Sequence, residues 1–176
     1  MRYHIRDMEE GTVRARNGKK WRVVLPAFFT ALSAVLLIAM FDYANFDLSR
    51  RSGASAILFA SFASSAFLMF MMPRSHAAKL ARFVRSYIIG GVMGAIGFTL
   101  LPLIGAYWAV GIALFVAALA LEGTDSMHPP AMGLALAFII YDVGYTGVVI
   151  AAVGVAMLVL MKRFIDWAER GTHVRI

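Results

Sequence analysis

The stretch SYIIGGVMGAIGFTLLPLIGAYWAVGIALFVAALAL, residues 86–121, decides the fold: 36 residues without an Asp, Glu, Lys or Arg. As a single α-helix it would be about 54 Å long at 1.5 Å per residue, far more than the roughly 30 Å hydrocarbon core of a bilayer. Pro102 and Gly105 interrupt it near the middle, so it reads as a hairpin of two membrane helices turning around Pro102-Leu103-Ile104-Gly105. Backbone polar groups in lipid find partners only within the protein, so uncharged runs of this kind are helices.

Working outward, Val23–Phe41 and Gly53–Met72 are uncharged runs of 19 and 20 residues, each about the length of one crossing. After the polar break Glu122–Asp125 come Ser126–Tyr141 and Val143–Met161, separated by Asp142. The expected fold is all-α and polytopic. A polar tail, 1–22, precedes a transmembrane domain, 23–163, with six spans near 23–41, 53–72, 85–101, 105–121, 128–141 and 143–162, and a basic tail, 164–176, follows. The fourth and fifth spans look short, and the fifth, with two prolines, reads either as a crossing or as re-entrant. Three crossings followed by three would give halves of opposite orientation, with the small-residue-rich second and fifth spans in correspondence.

Composition agrees. The chain of 176 residues is 61% hydrophobic and 15% charged, with mean hydropathy +0.75; a soluble domain is nearer about 45–50% apolar and about 25% charged. The absence of cysteine excludes a disulfide scaffold, a cysteine zinc site, thiol redox chemistry and a cysteine nucleophile. The net charge of +7 comes from basic residues flanking apolar runs, which points to topology and anionic lipid rather than nucleic acid. Six crossings place both tails and the second loop, 15 of 17 Lys and Arg, on one side. Both termini are therefore expected in the cytoplasm of a bacterium, with the protein in its inner membrane. Trp21, Trp108, Tyr145 and Trp167 fall near expected helix ends, where amphipathic rings belong.

The most distinctive polar segment is Thr124-Asp125-Ser126-Met127-His128-Pro129-Pro130-Ala131. Proline is well tolerated in a first helical turn, so the segment reads as a helix start with Ser126 or His128 near the cap. The positive end of that helix, together with an imidazole that titrates near neutrality, would suit an anion; the plainer reading is a turn that fixes the direction of a helix. Ser61 and Ser65, one helical turn apart, with Ser64 beside them, offer hydroxyls to an anion or water; they equally suit back-bonding and close helix packing. Glu122 is a proton-relay candidate, or simply a solvated helix end like Asp125 and Asp142. Gly90 and Gly94, with Gly91 and Gly97 nearby, and Ala113 and Ala117 form small-residue faces for close packing, within one chain by default or between copies. Enzyme signatures are missing, and no cofactor or metal site is expected.

His128-Pro129-Pro130 resembles the signature of the HPP family of integral membrane proteins, and the wider context is similar too. Ser61-Phe62-Ala63-Ser64-Ser65-Ala66, followed by Phe70, looks like the family's Phe-Gly-Ala-Ser-Ala stretch. Met72-Pro73-Arg74-Ser75 is similar to its Pro-x-Ser turn, Arg82 falls where a Pro-Arg-Asn element is expected, and Thr124, Ala131 and Leu136 also match. Phe83 stands where relatives carry Asn, Ser86-Tyr87-Ile88 where they carry Gly-Gly-His, and Met132 where some carry Gly. The resemblance implies a transporter, since some plant and cyanobacterial members are regarded as nitrite transporters. The expected substrate is a small monovalent anion held by His128, Pro129, Pro130, Ser61, Ser64, Ser65 and Thr124, with membrane lipid and a second copy of the chain as partners. The alternatives are a non-transporting assembly or sensor subunit and, third, an intramembrane enzyme using His128 and Glu122.

Overall fold

The computed structural model describes residues 24–39, 52–141 and 144–172, all helices and connections, with no strand among them. In chain order they form α1 (Val24–Ala39), α2 (Ser52–Met71), a single 3-10 turn (His76–Ala78), α3 (Leu80–Ile104), α4 (Ala106–Gly123), α5 (Pro130–Ile140) and α6 (Gly144–Thr172). Three segments among these are long and apolar enough to cross a membrane: Leu80–Ile104, Ala106–Gly123 and Val148–Trp167. The helical membrane class thus holds. The tail at 1–22, Trp21, Arg50 and Arg51, Asp142 and the side chain of Tyr145 lie outside the described residues.

The expected hairpin forms, but its turn is tighter than the sequence suggests. α3 runs through Pro102 to Ile104, and Gly105 alone separates it from α4. Gly105 has φ 79° and ψ 162°, a backbone region closed to residues with a Cβ. Its N–H donates to the Leu101 carbonyl at 3.0 Å and its own carbonyl accepts from Ala109 N–H at 3.0 Å, so one residue closes one helix and opens the next. Around this tip Leu103, Tyr107 and Trp108 are largely exposed, as side chains at a membrane boundary should be. Trp167, toward the other end of the fold on α6, is likewise exposed.

Two further boundaries differ. α6 continues to Thr172, so most of the expected tail from residue 164 is helical. α5 has 11 residues, about 16 Å at 1.5 Å per residue, roughly half of a bilayer core. Pro129 rather than Ser126 or His128 occupies its N-cap position, and no side chain caps it. The reason is local: His128 and Pro129 offer carbonyls to Ala131 and Met132 N–H at 3.0 Å each, while Pro129 and Pro130 have no N–H to leave unpaired. The first turn therefore closes on itself without a capping side chain.

α5 is the centre of the bundle, packed against α3, α2 and α4. Ala131, Leu134, Ala135, Ala137, Phe138 and Ile139 on it are all buried. The close approach of α3 comes from glycine. An added Cβ at Gly90 would lie 2.5 Å from the Ala131 carbonyl oxygen, at Gly94 2.9 Å from the Phe138 ring, and at Gly97 2.4 Å from Ile139. The small-residue face is thus an intrachain seam, whereas nothing stands within 4 Å of a Cβ at Gly91. Phe62, Met69, Phe83 and Phe138 fill the rest of the core.

Candidate functional site

Polar side chains buried in an apolar bundle must find partners in one another or in backbone carbonyls. Four do so at one point, where α2, α3 and the start of α5 converge: Ser61 and Ser65 from α2, Tyr87 from α3 and His128 from the segment leading into α5. Ser65 and His128 are fully buried, and Ser61 and Tyr87 nearly so. Ser65 lies six residues before the end of α2 and Tyr87 seven after the start of α3, so the cluster sits about 9–10 Å below those helix ends.

The hydrogen positions follow from the carbonyls, which only accept. Ser61 Oγ donates to the Pro130 carbonyl at 2.6 Å, so it receives the Tyr87 hydroxyl at 2.8 Å. His128 Nδ1–H donates to the Ala77 carbonyl at 2.9 Å, which leaves Nε2 facing Ser65 Oγ at 2.8 Å. Ser65 also contacts the Tyr87 hydroxyl at 2.8 Å and the Ser61 carbonyl at 3.0 Å. With the Tyr87 hydrogen spent on Ser61, the one Ser65 hydrogen has three claimants: Nε2, the Ser61 carbonyl and the Tyr87 oxygen. It goes to Nε2 when the imidazole is neutral, and to the Ser61 carbonyl when Nε2 carries a proton of its own and donates to Ser65. Rings enclose the imidazole: Phe83 meets it in a T-shape at 5.4 Å between centroids, Tyr87 lies at 5.8 Å, and Phe62 stacks on Tyr87 at 5.2 Å.

Of the residues singled out in the sequence, Ser61, Ser65 and His128 come together, and Pro130 joins through its carbonyl. Ser64, one step around the helix from Ser65, is exposed and outside the cluster, as are Pro129 and Glu122. Thr124 is exposed; its hydroxyl donates to the Ala120 carbonyl at 2.7 Å, closing α4. The free helix N-terminus expected beside His128 is absent, since the Ala131 and Met132 N–H groups are already used within the turn. Tyr87 is the member the sequence reading did not select. Its signal was the unusual register itself: a hydroxyl-bearing ring one helical turn after Phe83, where relatives were expected to place Gly-Gly-His.

Between α4 and α5 the chain is irregular, and its backbone carbonyls need partners from outside the connection. Two arginines from the first turns of α3 supply them. Arg82 donates from Nε to the Asp125 carbonyl at 2.9 Å and from Nη2 to the Asp125 carboxylate. Its Nη1 approaches the His76 carbonyl at 3.4 Å. Arg85 Nη1 donates to the Thr124 carbonyl at 2.7 Å and reaches Ser126 Oγ at 3.4 Å. Asp125 has φ 50°, a left-handed conformation uncommon for a residue with a side chain. The hydrogen bond from Arg82, helped by its charge and those of His76 and Lys79, holds the Asp125 carboxyl below the usual carboxylate range. These contacts place the α2–α3 and α4–α5 connections at the same, basic end of the bundle.

A family model, described as HPP, transmembrane region, matches residues 16–173. The chain belongs to the HPP family. No curated protein and no solved structure matches it. In this HPP protein the tripeptide behind the family's name has three separate jobs. His128 enters the polar cluster, Pro129 stands at the N-cap of α5, and Pro130 gives its carbonyl to Ser61.

Proposed function

We propose that this HPP protein carries a small monovalent anion of the nitrite type across the membrane, along a path through Ser61, Ser65, Tyr87 and His128, with no bond made or broken. The observation that carries this reading is the buried hydroxyl–imidazole cluster placed where a half-length helix begins. Transporters characteristically build their sites at interrupted helices within the membrane. A cluster that served packing alone would need no second arrangement, yet the Ser65 hydrogen has more than one acceptor in reach and the Ser61 and Tyr87 hydroxyls can each be redirected by rotation about one bond. Swung away from the carbonyls, three hydroxyls present donors to one guest. Single charge suits the site, because the desolvation penalty rises with the square of the charge and no cationic side chain joins the cluster.

The architecture proposed with this function has six crossings with both termini on the basic, cytoplasmic side. The cluster then lies nearer the cytoplasmic face and α5 lines the remaining path outward. The test is flux into proteoliposomes of nitrite, nitrate, chloride and formate, at about pH 5.5 and about pH 7.5. Nitrite flux is expected, reduced about fivefold or more in His128→Ala and Ser65→Ala, since losing one hydrogen bond is worth about 1 kcal/mol and 1.4 kcal/mol is a decade. Folded variants that carry nitrite at the wild-type rate refute the proposed path.

A further inference from the structure

The cluster is buried in this structure, and the segment that carries His128 into it, Thr124–Pro129, is held down by Arg82 and Arg85. The manner of holding is informative. The Nε and Nη2 edge of the Arg82 guanidinium is filled by two oxygens of one residue, the Asp125 carbonyl at 2.9 Å and the Asp125 carboxylate. That edge is a planar fork with two parallel donors, the geometry that recognises a bent O–X–O anion. The Asp125 side chain is 69% exposed while that of Arg82 is 15% exposed, so the anionic half of the pair is the half that solvent and solutes can replace. Arg85, one turn further along α3, has only neutral oxygens as partners and meets no carboxylate among the described residues. Arg74 and Lys79 add positive charge at the same mouth.

We infer that Arg82 and Arg85 form a reception site for a planar dioxo monoanion such as nitrite or formate, and that Asp125 is its built-in competitor. An arriving anion takes the Arg82 fork, Asp125 leaves with its left-handed backbone relaxed, and the segment that carries His128 loosens. The inference rests on the transport reading for its biological sense, but it makes a separate claim about selectivity. Chloride has the charge and lacks the two oxygens, so it releases Asp125 poorly at equal ionic strength.

The natural absence of cysteine makes the test direct. Ser126, within the segment, is fully buried, so Ser126→Cys reports its opening through the rate of maleimide labelling in proteoliposomes. At constant ionic strength sodium nitrite and formate are expected to raise that rate about fivefold or more, the lower end of ordinary coupling between sites, and chloride to leave it near baseline. Adding Asp125→Asn is expected to give fast labelling without any anion, and adding Arg82→Gln to abolish the response. Amide hydrogen exchange over residues 124–128 of the unsubstituted protein gives the same information should Ser126→Cys fail to fold. Labelling and exchange that ignore nitrite, or that respond equally to chloride, overturn the inference. Flux with flat labelling removes the reception site and leaves the transport reading standing; responsive labelling without flux does the reverse.

Discussion

Adding one methyl group at Gly90 probes the seam that positions the site. The new Cβ would stand 2.5 Å from the Ala131 carbonyl oxygen and 3.2 Å from its carbonyl carbon, both backbone atoms in the first turn of α5. No side-chain rotation relieves such a contact; α5 itself must retreat until the gap reaches the 3.4 Å at which ordinary contact begins. The neighbouring Pro130 carbonyl moves with it, and a retreat of that size along the 2.6 Å bond from Ser61 takes it to the limit of hydrogen bonding. Overpacking of this kind costs about 1–3 kcal/mol, and a weakened buried hydrogen bond adds about 1 kcal/mol. Gly90→Ala is therefore expected to lose about 2–4 kcal/mol of stability. The adjacent Gly91 is the internal control. Its Cβ would meet nothing within 4 Å, so Gly91→Ala gains the helical preference of alanine, about 0.5–1 kcal/mol. Thermal unfolding of the two variants in one detergent, followed by light scattering or size-exclusion recovery, reads the difference. Equal midpoints, or a larger loss at Gly91, refute the placement of α5 against α3.

Further predictions concern the polar groups. Ser65→Ala leaves the buried His128 Nε2 without its hydroxyl and is expected to cost about 1–3 kcal/mol, whereas Tyr87→Phe leaves Ser61 and Ser65 with other partners and costs about 1 kcal/mol; thermal midpoints that rank them the other way refute the assignment of hydrogens. The pH dependence of the Arg82–Asp125 latch follows from its depressed carboxyl. The folded value lies below the unfolded one of about 3.9, so the pair's contribution is fully present above about pH 4 and fades as pH falls through the folded value. Hydrogen exchange over residues 124–128, corrected for the intrinsic pH dependence of exchange, should therefore stay constant from neutrality down to about pH 5; a transition between about pH 5 and 7 contradicts it.

The membrane class was legible because lipid leaves so few choices: an uncharged run of 36 residues broken by Pro102 and Gly105 has hardly another solution. The meeting of Ser61, Ser65 and His128 was visible in outline, because polar groups in apolar helices seek one another. Tyr87 was not, since an aromatic residue in an apolar run reads as packing until its hydroxyl is seen between two serines. That α5 is short was readable from the run Ser126–Tyr141, but its depth was not: Pro129 and Pro130 mark where a helix begins along the chain and leave open how deep in the bilayer that point lies. Counting Lys and Arg treats every cation as a topology signal, so it passed over Arg82 and Arg85, whose geometry makes them clamps on a neighbouring connection.

The single-residue turn at Gly105 bears on how the protein is made. α3 and α4 have so short a link that they suit insertion as one prefabricated unit, with no charged loop to haul across. Of the site, only Tyr87 comes with that unit. The site's serines are synthesised before the hairpin and its proline carbonyl after it, 69 positions beyond Ser61. Until α3 follows with Tyr87, the nascent α2 has only its own backbone to offer, and the bond from Ser65 to the Ser61 carbonyl is the one polar contact of the finished cluster already within its reach.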